Sequence, residues 1–255
     1  MHAPHQRLPL ALTATAAAQG YKMRDETLYM WYHLVPSLRP AYNSDHDGGI
    51  RTAVRVWFED PAAAKAKYGP IASWDTSGIT NMDSLFYNKK DFNEDISHWN
   101  VSNAWDMDLM FCGATSFTGD LSSWNVGQVK NMHFMFHGAT SFTGDLSRWD
   151  VGQVKYMASM FHGATKFTGD LSNWKVGQVE YMNHMFSGAT SFTGDLSNWD
   201  VGQVKNMDIM FSGATSFTHQ LGGAWSTSTI RKSRMFDNSP GTIAGKVKQA
   251  NGTIE

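Results

Sequence analysis

The sequence predicts an α/β repeat solenoid, with one short parallel strand and one short helix in each 25-residue coil and a helical cap at the N-terminal end. Three observations predict it. Tryptophan recurs at 74, 99, 124, 149, 174 and 199, every 25 residues, and then at 225 after one extra residue, which makes six copies and a degenerate seventh. Neighbouring copies are nearly identical: Ser116–Thr140 and Ser141–Thr165 agree at 20 of 25 positions. Inside each copy the apolar residues follow two different spacings, so two kinds of local structure share one unit.

The helix comes from the first spacing. Val129, Met132, Met135, Phe136 and Ala139 stand three or four residues apart and share one face of a short helix over "QVKNMHFMFHGA", with Gly138 near its end. The strand comes from the second. In "SFTGDLS" the apolar Phe142 and Leu146 share parity with Gly144, so Ser141, Thr143, Asp145 and Ser147 face the other way if the segment is extended. "WDVGQ" supplies the joining turn, with Gly152 at the bend. A single copy does not fold alone. Its apolar side chains yield ~1.5–3 kcal/mol each when buried, ordering its backbone costs roughly 1–2 kcal/mol per residue, and a lone coil leaves half its apolar surface wet. Stacking coil on coil resolves this through nearest-neighbour contacts. Strands want ~4.7–4.9 Å between neighbours and helices ~8–10 Å, so the stack should splay into an arc with the sheet inside. Tight turns in place of helices would leave the curvature slight.

Ahead of the first tryptophan, Ile50, Ala53, Val54 and Trp57 form a helical stripe able to cover the open end of the stack. The expected organisation is a leader at 1–48, a cap at 49–73, the solenoid at 74–224, and a degenerate repeat with a C-terminal cap and a frayed tail at 225–255. In the leader, "RLPLALTATAAAQG" has the outline of a secretory signal, weakened by Pro9 and two threonines, and otherwise reads as a disordered leader.

The pattern W-D-V-x-x-V-x-x-M-x-x-M-F-x-G-A-x-x-F-x-G-D-L-S-x-W resembles the BspA-like leucine-rich-repeat surface proteins, in the Trp-Asp-Val and Met-Phe repeat type of mycoplasmas and protists. The likeness spans about Ile50 to Phe217, and "GGIRTAVRVWFEDPAAAKAKYGPIASWDTSGITNMDSLF" is similar to the lead-in segment of such proteins. It implies a right-handed solenoid of the leucine-rich-repeat type. It also implies a non-catalytic adhesion module, extracellular or at the cell surface, that binds a protein or polysaccharide.

Composition narrows the partner. The chain of 255 residues carries 21 Lys and Arg against 23 Asp and Glu and no block of like charge, which argues against a nucleic-acid groove. Nor does any apolar run approach the ~20 residues of a membrane span. The single cysteine, Cys112, excludes an internal disulfide framework. A monomer is expected.

Differences between near-identical copies mark positions that do not hold the core. On the helix face expected to point outward these are Lys130, Asn131, His133, Phe134, Lys155, Tyr156, Tyr181, His184 and Lys205, read either as solvent-facing drift or as an aromatic-rich recognition surface. Asp120, Asp145, Asp170 and Asp195 form a ladder on the strand, where stacked carboxylates repel. Bridging Ca²⁺ or hydrogen bonds from Ser and Thr hydroxyls and turn amides would offset that repulsion. No other cofactor is expected. The regular Ser and Thr array beside the ladder suits a glycan and, more remotely, ice; a purely structural repeat is a further alternative. Cys112 shares a column with His137 and His162 but has no third orienting group, so no enzyme is expected.

Overall fold

A computed structural model of the protein describes residues 49–230 and 232–255, within the compact unit Ser44–Glu255. The leader at 1–48, with its signal-like stretch, lies outside the described residues.

Two helices begin the described chain. Helix α1 (Ile50–Glu59) buries Ile50, Ala53 and Val54, and Trp57 meets Trp74 of the first coil edge-on at 5.9 Å. Helix α2 (Pro61–Tyr68) starts at Asp60, whose carboxylate accepts the Ala63 N–H at 2.9 Å, while Pro61 fills a position that has no helical partner to lose. The Arg51 guanidinium donates to Asn81 Oδ1 at 2.9 Å and to the Asp83 carbonyl, tying the cap to the first coil.

The coils then repeat in register. Each tryptophan reaches back to its predecessor: the indole N–H of Trp149 donates to the Leu121 carbonyl at 3.0 Å, and those of Trp174 and Trp199 to Leu146 and Leu171, both at 2.9 Å. Indole rings stack 6.4 Å apart between Trp149 and Trp174 and 6.3 Å between Trp174 and Trp199. Two phenylalanine columns fill the centre. The column through Phe111, Phe136, Phe161 and Phe186 has ring spacings of 5.5 to 5.6 Å, and the column through Phe117, Phe142, Phe167 and Phe192 has spacings of 5.9 to 6.0 Å. Every one of these phenylalanines is fully buried.

The expected helix is absent. Between Ser73 and Gln220 the chain contains no α-helix. The segment after Asn131 runs as consecutive tight turns in which the amides take two destinations in alternation. Met135, His137 and Ala139 donate three residues back, to Met132, Phe134 and Phe136, whereas Phe134, Phe136 and Gly138 donate to Ala158, Met160 and His162 of the next coil. Left-handed backbone at Phe134 (φ 53°) and Gly138 (φ 66°) makes the alternation possible. Coils 5.5 Å apart leave no room for helices that need 8–10 Å, and three-residue turns give the same apolar spacing as a short helix.

The expected strand is also displaced. Phe142–Leu146 carries no strand and forms no ladder with the coils beside it. Parallel pairing occurs instead as single bridges, Asn81 to Asp106, Asp106 to Asn131, Asn131 to Tyr156, Tyr156 to Tyr181 and Tyr181 to Asn206. Without a helix on one side and a sheet on the other, nothing drives a strong splay, and spacings rise only from 5.5 Å at the phenylalanines to 6.4 Å at the tryptophans.

The end of the chain closes the stack rather than fraying. Strand β1 (Gln220–Leu221) pairs in parallel with β2 (Thr242–Ile243), and the short helix α3 (Ala224–Thr227) buries Trp225. Ile254 is buried and bridges both Lys232 and Lys248, and Phe236 donates to the Gly252 carbonyl at 3.0 Å. Left-handed Gly252 (φ 76°) turns the tail back over Met235 and Phe236, which would otherwise lie bare.

Candidate interaction surface

The repeat converts each position into a column, and one column stands out as a rail. Trp105, Lys130, Lys155, Glu180 and Lys205 follow one another at equivalent places, and each donates its backbone N–H to the preceding residue of the column at 2.7 to 2.9 Å. The rail is therefore fixed by main chain, while its side chains vary. Trp105 is 46% exposed, which with Val247 makes it one of two exposed large apolar side chains among the described residues. Lys130, Lys155 and Lys205 are exposed; Lys205 pairs with Glu180 at 2.5 Å, which leaves Lys130 and Lys155 with no ion-pair partner among the described residues.

The adjoining column holds Asn131, Tyr156, Tyr181 and Asn206, all half-buried, with the two tyrosine rings stacked at 6.0 Å. Burial, then the Glu180 charge, pushes the Tyr156 hydroxyl above its ordinary range. On the other side of the buried Val129, Val154, Val179 and Val204 run Gln128, Gln153, Gln178 and Gln203, exposed at every coil and free of hydrogen bonds to the described residues. Sequence reasoning passed over this glutamine column because it never varies, whereas Trp105 stands in the column of varying positions with Lys130, Lys155 and Lys205 that the spacing places on the outer face.

Other residues expected on the outer face lie elsewhere. Phe134 is buried, as are Ala158, Ser159 and Asn183 at equivalent or neighbouring positions, and His133 and His184 are half-buried. The left-handed residue at Phe134 turns this segment inward, which a helical reading could not anticipate. The His137 and His162 rings lie 4.6 Å apart, tilted by 31°, and those of His162 and His184 stack at 5.8 Å. Burial, with the neighbouring His162 ring adding, brings His137 down to about 4; burial lowers His162 and His184 as well. Cys112 is buried, while His137 and His162 of the same column are half-buried.

The aspartate ladder is exposed, and its charge is met locally. Asp120, Asp145, Asp170 and Asp195 each accept the N–H two residues on, from Ser122, Ser147, Ser172 and Ser197, at 2.9 Å. The serine hydroxyls and then these amides hold Asp120, Asp145 and Asp195 below the usual carboxylate range. Among the described residues no three His, Cys, Asp or Glu side chains gather in a metal-binding group. At the N-terminal end, burial pushes Asp106 up to about 7, the Asp83 charge adding to it and the Asp108 amide opposing.

Stacked 25-residue units that present the same outer positions at every turn define a repeat protein. The chain belongs to the family described as Mycoplasma protein of unknown function, DUF285, whose model matches residues 53–170 and, overlapping, 144–246. No curated protein and no solved structure matches the chain. Among the described residues no helix is long and apolar enough to cross a membrane.

Proposed function

We propose that this chain is a non-catalytic binding module of BspA-like, leucine-rich-repeat type, that acts as a monomer at or outside the cell surface and holds an extended partner along the Trp105–Lys205 rail. The observation that carries this reading is the rail itself. Its backbone is locked coil to coil, while its side chains vary from coil to coil and, Glu180 apart, are exposed. Weak contacts repeated at a fixed step add in avidity when the partner is also extended. An exposed indole beside cations is the composition that concentrates binding energy in few residues. The aspartate ladder supports a Ca²⁺ array less well, since turn amides and serine hydroxyls already engage its carboxylates.

The test is an array of surface glycans and extracellular proteins probed with the wild-type chain and with Trp105→Ala and Lys130→Gln/Lys155→Gln. The reading predicts at least one ligand whose retention falls about tenfold in both variants. Ligands held equally by wild type and variants would place the contact face elsewhere and end this assignment.

A further inference from the structure

We infer that the rail takes a linear, carboxylate-bearing polysaccharide, one sugar ring to each coil, with the Gln128–Gln203 column binding hydroxyls while the lysines meet the acids. The inference rests on the rail being the contact face and names the chemistry of its ligand. Three observations converge on it.

The first is the pairing of two unlike columns. Lys130 and Lys155 stand on successive coils without an ion-pair partner among the described residues, so like charges face each other along the stack and are eased by anions at the same interval. Two residues away, across a buried valine, each coil also exposes a glutamine amide with no protein hydrogen bond among the described residues. An amide offers an acceptor and two donors together. That suits the hydroxyls of a sugar, each of which donates and accepts, and a bare carboxylate polymer has no use for it.

The second is the state of the backbone. The N–H and C=O groups of Lys130, Lys155 and Glu180 are spent on the coils above and below: Lys130 donates to Trp105 and receives from Lys155, and Lys155 receives from Glu180. An extended acidic peptide that binds by adding a strand needs a free row of such groups. No such row is open along the rail, where the N–H and C=O groups from Trp105 to Glu180 are all bonded to neighbouring coils. Recognition must go through side chains, which is how a polysaccharide is held. The rail carries no arginine to grip phosphates in a two-pronged bond, so a nucleic acid finds no matching contact.

The third is the step. The rail's residues bond main chain to main chain beside the parallel bridges of the adjoining column, so they advance by the ~4.7–4.9 Å of neighbouring strands, the scale of one pyranose along an extended chain. Trp105 at the N-terminal end of the rail offers an exposed indole on which the apolar face of a ring can rest. A polyuronate, with one carboxylate on each ring, matches adjacent lysines on adjacent coils.

The experiment is titration calorimetry of the chain with three polymers: polygalacturonate, the same polymer with its carboxyls methyl-esterified, and poly-L-glutamate. Wild type should bind polygalacturonate at least about tenfold more tightly than either control and more weakly as salt screens the charges. Lys130→Gln/Lys155→Gln and Gln153→Ala/Gln178→Ala should each lower that affinity about tenfold, with far-UV circular dichroism unchanged because all four side chains are exposed. Equal binding of polyglutamate, untouched by the glutamine substitutions, overturns the sugar assignment and leaves the rail standing as a contact face for another polyanion. Equal binding of the esterified chain overturns the acid assignment. If polygalacturonate gives no heat, the inference is wrong, and the array with the Trp105 and Lys130/Lys155 variants decides separately whether the rail binds anything.

Discussion

At the scale of single residues, the indole N–H is the clearest fastening. Trp149 bonds the Leu121 carbonyl of the preceding coil from a buried position, so Trp149→Phe keeps the aromatic column but strands a buried acceptor. A loss of about 2 kcal/mol is expected from urea unfolding. Two titrating groups pull stability in opposite directions. Asp106, raised to about 7, favours the folded state most below pH 3.8 and loses that contribution as pH rises through 7. His137, lowered to about 4, contributes fully above 6.5 and loses its contribution as pH falls through 4. Urea midpoints measured from pH 4 to 8 should therefore lose their downward slope toward neutral pH in Asp106→Asn. A slope unchanged in that variant would mean that Asp106 is not the group responsible. The tryptophans could be read from spacing alone, because a large apolar residue that never varies has few places to be other than inside. Phe134 could not. Its burial follows from a left-handed φ that no apolar spacing announces.

At the scale of the coil, the lesson is that three-residue turns and a short helix write the same pattern of apolar residues. What separates them is the distance to the next copy, which sequence does not state: 5.5 Å between Phe111 and Phe136 excludes helices side by side. The same distance explains the alternating amides, since a coil this thin must give half its turn hydrogen bonds to its neighbour. Two substitutions test the geometry. Gly138→Ala forces an alanine to φ 66°, with its Cβ 3.9 Å from Gly113 Cα, and should cost about 1 kcal/mol from backbone strain alone. Gly144→Ala brings a Cβ within 2.8 Å of the Phe142 ring, which is held between Phe117 and Phe167, so its loss of thermal stability should be the larger. Equal melting temperatures for the two variants would contradict the packing described for Phe142.

At the scale of the whole unit, repeat number and register were open to reading because the sequence states them by repetition, and the N-terminal stripe because its apolar residues keep a helical spacing. The closed C-terminal end was not, since Ile254 is one apolar residue among polar ones and reveals its role only when Gly252 folds it back. Ile254→Asp should lower the melting temperature and promote self-association by uncovering Met235 and Phe236, as read by light scattering. Removing residues 150–174, one full period, should leave a cooperative fold with a smaller urea m-value. Removing 24 residues instead should not, because every later indole then misses its carbonyl. The locked backbone of the rail carries this one step further. A chain built this way is a ruler whose graduations are molecular: inserting another copy would lengthen the grip by one mark without disturbing those already engraved, so reach becomes a quantity that gene duplication can set.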